Sequence, residues 1–298
     1  MFKNVIVYRL GADWTATLAQ VEAGLDSARF VECGPSQERS LGWVEPRGEA
    51  HGPLVEAVGG QWILKLMIEA KAVPASVLNR KVKDQVDHIE ATTGRKPGKK
   101  EQRDIKEDLK LSLLPMAFCK QLTVTVWIDP SARLMVLDAG SQARADEVVT
   151  ALVKSLDGFA PTLLNTVTSP AVAMSEWLVS QEPAEGFSVD RECELKATDE
   201  SKAVVRYARH PLDNDEVVAH VQGGKQAAKL ALTWDSRVSF MLTESQQIKK
   251  IAFLDVVMDG VSDRKNEGFD TDVALATGEL RRLIPDLVAA LGGELPIS

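Results

Sequence analysis

Three aspartates, Asp255, Asp259 and Asp263, recur every fourth residue. On a helix they share one face and could hold a divalent metal for phosphodiester hydrolysis. The same spacing also suits a solvated acidic turn ahead of Arg264-Lys265-Asn266-Glu267. Gly223-Gly224-Lys225 resembles half of a phosphate loop, but the earlier glycine and the following Ser/Thr are absent, so it reads as a helix C-cap. No GxGxxG follows the first strand and no GxSxG elbow occurs. His51, His88, His210 and His220 are scattered, without partners at ligand spacing. Cys33, Cys119 and Cys193 are odd in number and form no CxxC pair, which disfavours a disulfide framework or a zinc site and suits a reducing cytoplasm. No catalytic residue, metal or cofactor is assigned, and the chain reads as a non-enzyme.

The residues that can do something together are cations. Lys71 to Lys120 holds 12 Lys/Arg against 7 Asp/Glu, a net +5 on a chain of −8, leaving −13 for the rest. Arg80, Lys81 and Lys83 precede a turn crowded with Arg95, Lys96, Lys99 and Lys100, and Arg103, Lys106 and Lys110 follow it. Mobile positive charge at this density suits phosphate contacts, which need no base readout. A solvated helix face is the plain alternative. From Pro74 to Leu114 there is no Phe, Tyr or Trp, so this element offers no stacking platform for single strands. It also lacks a recognition-helix motif.

The elements that must position these cations follow from apolar periodicity. Leu78, Val82, Val86 and Ile89 form one face of a helix that starts near Pro74. The segment 92–98 is a turn by composition, and Ile105, Leu109 and Leu113 mark a second helix from about Lys99. The result is a helical hairpin with a narrow apolar seam. Around it the chain alternates strands and helices. Phe2–Leu10, Ser40–Val44, Gln61–Ala70, Leu122–Asp129 and Arg133–Asp138 are strand candidates, as are Glu192–Lys196, Ala203–Ala208, Lys229–Trp234, Val238–Leu242 and Ile248–Phe253. Ala16–Ser27 (with Gly24 as an awkward member), Ala145–Leu156, Ser169–Gln181 and Asp213–His220 are helical, the last capped by Asp213 or Asn214. Thr271–Leu291 closes the chain as a helix kinked or split at Pro285. The fold class is α/β (α+β) with mixed sheets and an inserted hairpin. The expected division is 1–72 with 113–165, a finger at 73–112, and 166–298. No apolar run is long enough to span a bilayer, and the N-terminus lacks a signal-peptide pattern.

Leu113-Leu114-Pro115-Met116-Ala117-Phe118 leaves the hairpin as an apolar run ending in an aromatic. Packing alone favours Phe118 as core where the hairpin rejoins the sheet; the sharper reading is an exposed anchor at a subunit contact.

The order of several short segments resembles the RdgC family of bacterial recombination-associated proteins. They are Phe2-Lys3-Asn4 through Tyr8-Arg9-Leu10, Gly42-Trp43-Val44 with Pro46, Ser112-Leu113-Leu114-Pro115 with Ala117-Phe118, and Trp127-Ile128-Asp129. Glu176-Trp177, Gly186-Phe187, Lys229-Leu230-Ala231-Leu232 with Trp234, and Thr277-Gly278-Glu279-Leu280 continue the series. The resemblance implies a horseshoe-shaped subunit that closes into a ring-shaped homodimer around double-stranded DNA, with single strands as a second ligand. It implies a cytoplasmic, nucleoid location, restraint of a RecA-type recombinase, and a place in replication-fork repair. It makes the hairpin a finger that helps load DNA. It also implies one dimer contact at Phe118 with Leu113 and Leu114, and the other at Arg209-His210, where one member of the family carries a lysine-glutamine pair. Two other functions fit the residues: a protein-binding module that docks through the charged hairpin, and a metal-dependent nuclease using the three aspartates.

Overall fold

The computed structural model describes residues 2–258 and 268–296. Of the three spaced aspartates, only Asp255 therefore falls in the described residues. In the first half, β1 (Val5–Arg9) and α1 (Leu18–Asp26) lead to β2 (Arg39–Val44), β3 (Val55–Val58) and β4 (Gln61–Ala72). The hairpin is α2 (Ala75–Thr93) and α3 (Lys99–Leu113); then come β5 (Phe118–Asp129), β6 (Leu134–Asp138), α4 (Gln142–Ser155) and β7 (Thr162–Leu163). In the second half, α5 (Pro170–Ser180), β8 (Phe187–Ala197), β9 (Val204–Ala208), α6 (Asp215–Gln222) and β10 (Lys225–Trp234) precede β11 (Val238–Thr243) and β12 (Ile248–Phe253). A short turn, α7 (Asp255–Met258), and the long α8 (Phe269–Ala290) complete the order.

The twelve strands among the described residues join one sheet in the order β2-β4-β5-β6-β1-β12-β11-β10-β8-β9, with β3 on β4 and β7 on β1. Every strand pairing is antiparallel, so the mixed sheets expected from the alternation of elements are corrected to a single antiparallel sheet. Short turns dictate this for β3–β4, β5–β6, β8–β9, β10–β11 and β11–β12, because a few residues can join only antiparallel neighbours. Asp129 shapes one such turn: its Oδ1 accepts from Ala132 N at 3.0 Å and Ser131 Oγ at 2.6 Å. Asp235 and Ser236, both at positive φ, make the β10–β11 turn.

Strand alternation builds two apolar layers. Val124, Val126 and Ile128 of β5 face one way, with Ile6, Leu64 and Leu66, and pack under α1 and α4. Trp127 faces the other way, into a core shared with α5, α6 and α8. Each fully buried large side chain contributes about 1.5–3 kcal/mol. Gly24 sits inside α1 because α4 leaves no room there: a Cβ would lie 2.3 Å from the Ser155 carbonyl oxygen. Gly42 is needed for the same reason, with a would-be Cβ 2.4 Å from Phe30 Cα.

Several segments of the family pattern are structural locks. The Asp129 carboxylate, fully buried, forms an ion pair with Arg281, Oδ2 to Nε 2.8 Å, tying the β5–β6 turn to α8. Glu279 takes two bonds from Arg237, at 2.8 and 2.5 Å. Trp234 Nε1 donates to Asp286 Oδ2 at 2.9 Å, and Arg9 pairs bidentately with Glu294. A split at Pro285 does not occur: α8 runs as one helix through it. Gly223 does cap a helix, α6, whose N-cap is Asn214 rather than Asp213. All three cysteines are free thiols, and burial pushes the Cys193 thiol up to about 11. No described helix is long and apolar enough to cross a membrane.

Candidate nucleic-acid interface

The hairpin grows out of one rung of the ladder. Ala72, the last residue of β4, is the register partner of Phe118, the first of β5. The chain therefore leaves and re-enters the sheet at adjacent positions, and the insertion costs no strand pairing. Leu78 and Val86 are buried in its seam, with Val82, Ile89, Ile105 and Leu109 on the same apolar stripe that the sequence predicts. Gly94 ends α2 in the left-handed conformation at φ 68°, turning the chain so that α3 runs back along α2. Thr93 Oγ1 accepts from Arg95 N across this turn at 3.3 Å.

Nine of the ten candidate phosphate-contacting cations are exposed: Arg80, Lys81, Lys83, Arg95, Lys96, Lys99, Lys100, Arg103 and Lys106. Lys110 is half-buried at the root of the hairpin, where Nζ lies 2.5 Å from Glu38 Oε2. Arg95 pairs with Glu101 at 3.1 Å and Arg103 with Glu107 at 3.4 Å. Such exposed pairs are worth only about 0–1 kcal/mol, so a phosphate can replace the carboxylate at little cost. The remaining seven have no ion pair among the described residues. Lys99 and Lys100 lie in the first turn of α3, where the positive end of the helix adds to their field.

At the hairpin's exit, Pro115 sits in a 3-10 turn that sorts the apolar run. Leu113 and Leu114 are 8% and 0% exposed, so their side chains already lie inside the subunit. Phe118 is 90% exposed, which corrects the core placement that packing alone favours. Met116, which the sequence does not single out, is exposed beside it in the chain, and so is Leu111.

Arg209 and His210 follow β9, the strand at the far end of the sheet order from β2. Both are exposed. Arg209 holds a left-handed φ of 56°, a conformation that costs a non-glycine residue and persists only where its neighbours enforce it. His210 N donates to Arg191 O at 3.1 Å, and its Nδ1 lies 2.7 Å from Pro211 O.

A second basic surface is not apparent from the sequence. Over β8–β12 the helices α5, α6 and α8 cover one face of the sheet, and the other lies open beyond α4. A concavity of about 490 Å³ there is lined by Arg206, Lys229, Lys249 and Lys250 together with Glu192 and Glu194. Its signal is present in the strands, where Lys229 alternates with the buried Leu230 and Leu232. Among the described residues, no group of three or more His, Cys, Asp or Glu could hold a metal ion.

The sequence model of a family described as "Putative exonuclease, RdgC" matches residues 1–294. The chain belongs to the RdgC family. Among its relatives, the recombination-associated protein RdgC of Dechloromonas aromatica (strain RCB) is 44% identical over 300 residues, covering 99% of this chain and 98% of the relative. The protein of the same name from Janthinobacterium sp. (strain Marseille) is 45% identical over 297 residues, with 99% and 98% covered. The one from Bordetella pertussis (strain Tohama I) is 42% identical over 298 residues, with 98% of each chain covered.

Proposed function

We propose that this protein binds duplex DNA without reading its sequence, as a ring-shaped homodimer of horseshoe-shaped subunits, and so restrains recombination by a RecA-type recombinase. The observation that carries the reading is the hairpin: two helices joined at one rung of the sheet, with no Phe, Tyr or Trp and with seven cations that have no ion pair among the described residues. That surface offers backbone neutralisation and nothing for base readout. The relatives' name, recombination-associated protein, agrees with a DNA partner. Two separate contacts are needed to close a two-fold ring, each self-complementary. The exposed Phe118 on β5 and the exposed Arg209-His210 after β9 supply candidates on strands far apart in the sheet order. An acidic exterior around basic elements would repel DNA elsewhere. The location that follows is the nucleoid, and the reading includes no catalysis.

The test is binding to duplexes of unrelated sequence across a salt series, with and without magnesium. Similar affinities, a steep loss with salt and intact DNA in magnesium support the reading. No binding at low salt would instead favour a protein partner for the hairpin. Digestion of the DNA in magnesium would favour the exonuclease of the family description.

A further inference from the structure

The open face of β8–β12 carries its cations in an unusual state. Glu194, on β8, is shared: its Oε2 receives Arg206 Nε from β9 at 2.7 Å and Lys229 Nζ from β10 at 3.0 Å. Next to it, Glu192 takes Lys250 Nζ at 2.6 Å. The Glu194 side chain is only 16% exposed, against 72% for Arg206 and 43% for Lys229. The carboxylate lies at the floor and the cations reach outward from it. Partial burial works against ionisation of Glu194, yet the bonds from Arg206 and Lys229 outweigh it and hold its carboxyl below the usual range.

We infer that this face is a second contact for the phosphate backbone, and that Glu194 sets its strength by competing with phosphate for Arg206 and Lys229. The occupant follows from charge and shape. Four cations against two carboxylates leave an excess that suits a polyanion, and the concavity lies on a bare sheet face rather than in a closed cleft. Because Arg206 and Lys229 already share the Glu194 carboxylate, a phosphate must compete with it for them. The face therefore adds little for a single phosphate and more for a continuous backbone already held by the hairpin. Electrostatic competition of this kind keeps a sequence-blind binder weak enough to leave or move along its DNA. The inference rests on the duplex-binding reading above.

The experiment compares the full-length protein with Glu194→Gln, a near-isosteric change that removes the charge. Glu176→Gln, on α5 across the sheet, is the control for a change of one unit in net charge. Duplex affinity is measured across a salt series, with melting curves to check folding. Glu194→Gln is expected to bind about three- to tenfold more tightly at low salt, and to steepen the log–log salt slope by roughly one to two. Glu176→Gln should show neither change. The double variant Arg206→Gln/Lys229→Gln should bind no more tightly than the parent. If the parent binds duplex but Glu194→Gln matches Glu176→Gln in affinity and slope, the inference is overturned and the hairpin reading stands. If the parent itself does not bind, the duplex-binding reading falls first.

Discussion

Phe118 and Ala72 face each other across the last rung of the β4–β5 ladder, and Phe118 keeps 90% of its surface in solvent there. Four residues earlier, Leu114 is fully buried. An aromatic ring so exposed adds nothing to the subunit's own core. Substituting Phe118→Ser should therefore change the melting temperature of dilute protein by little, within about 0.5 kcal/mol of stability. It should shift the monomer–dimer equilibrium toward monomer in sedimentation. A large loss of subunit stability with unchanged association would contradict this.

The hairpin cations are not equivalent. Lys96, Lys99 and Lys100 have no ion pair among the described residues, whereas Lys110 is held by Glu38. Replacing the first three with Gln should flatten the log–log salt slope of duplex binding by about 0.9 for each phosphate that is no longer neutralised. Lys110→Gln should have a smaller effect on binding, because its charge is already partnered. Fluorescence anisotropy across a salt series separates the two outcomes.

The Arg237–Glu279 pair fixes a pH dependence. Its two hydrogen bonds hold the Glu279 carboxyl below the ordinary range, against the cost of its burial. A carboxyl whose folded pKa lies below its unfolded value stabilises the fold above the unfolded value, about 4.3 for Glu, and loses that contribution as pH falls through the folded one. Glu279→Gln should cost about 1–3 kcal/mol at neutral pH. Its stability should also fall less steeply than the parent's below about pH 4.3 in denaturant titrations.

Gly24→Ala puts a methyl group 2.3 Å from the Ser155 carbonyl oxygen. Forcing α1 and α4 apart should cost about 1–3 kcal/mol. Calorimetry should show this loss while duplex affinity stays at the parental value, since neither helix carries a candidate contact.

Much of this is legible in the sequence, and the gaps have physical causes. The hairpin is readable because Leu78, Val82, Val86 and Ile89 make a single clean stripe and the turn residues between the helices are unambiguous. The two-residue β7 and four-residue β3 are not, since alternation needs more length to show. The start of β8 at Phe187, five residues ahead of the strand that the sequence shows from Glu192, is hidden because Ser188 and Asp190 are polar and read as loop. Phe118 is misplaced by packing alone for a related reason: the Leu113-to-Phe118 run is uniformly apolar, and only the 3-10 turn at Pro115 sends Leu114 inward and leaves Met116 outside. Of the candidate site, the identity of the hairpin cations comes from the sequence. The partner of Lys110, Glu38, lies 72 residues away and needs the fold. The open face of β8–β12 combines strands distant in sequence, so its cations form no cluster along the chain.

The most direct test of an encircling dimer is dissociation from closed-circular duplex compared with linear duplex of the same sequence, chased at raised salt. A ring cannot slide off a circle, so release from circles should be slower than from free-ended linear DNA, and Phe118→Ser should erase the difference. Equal release from both by the parent protein would contradict encirclement.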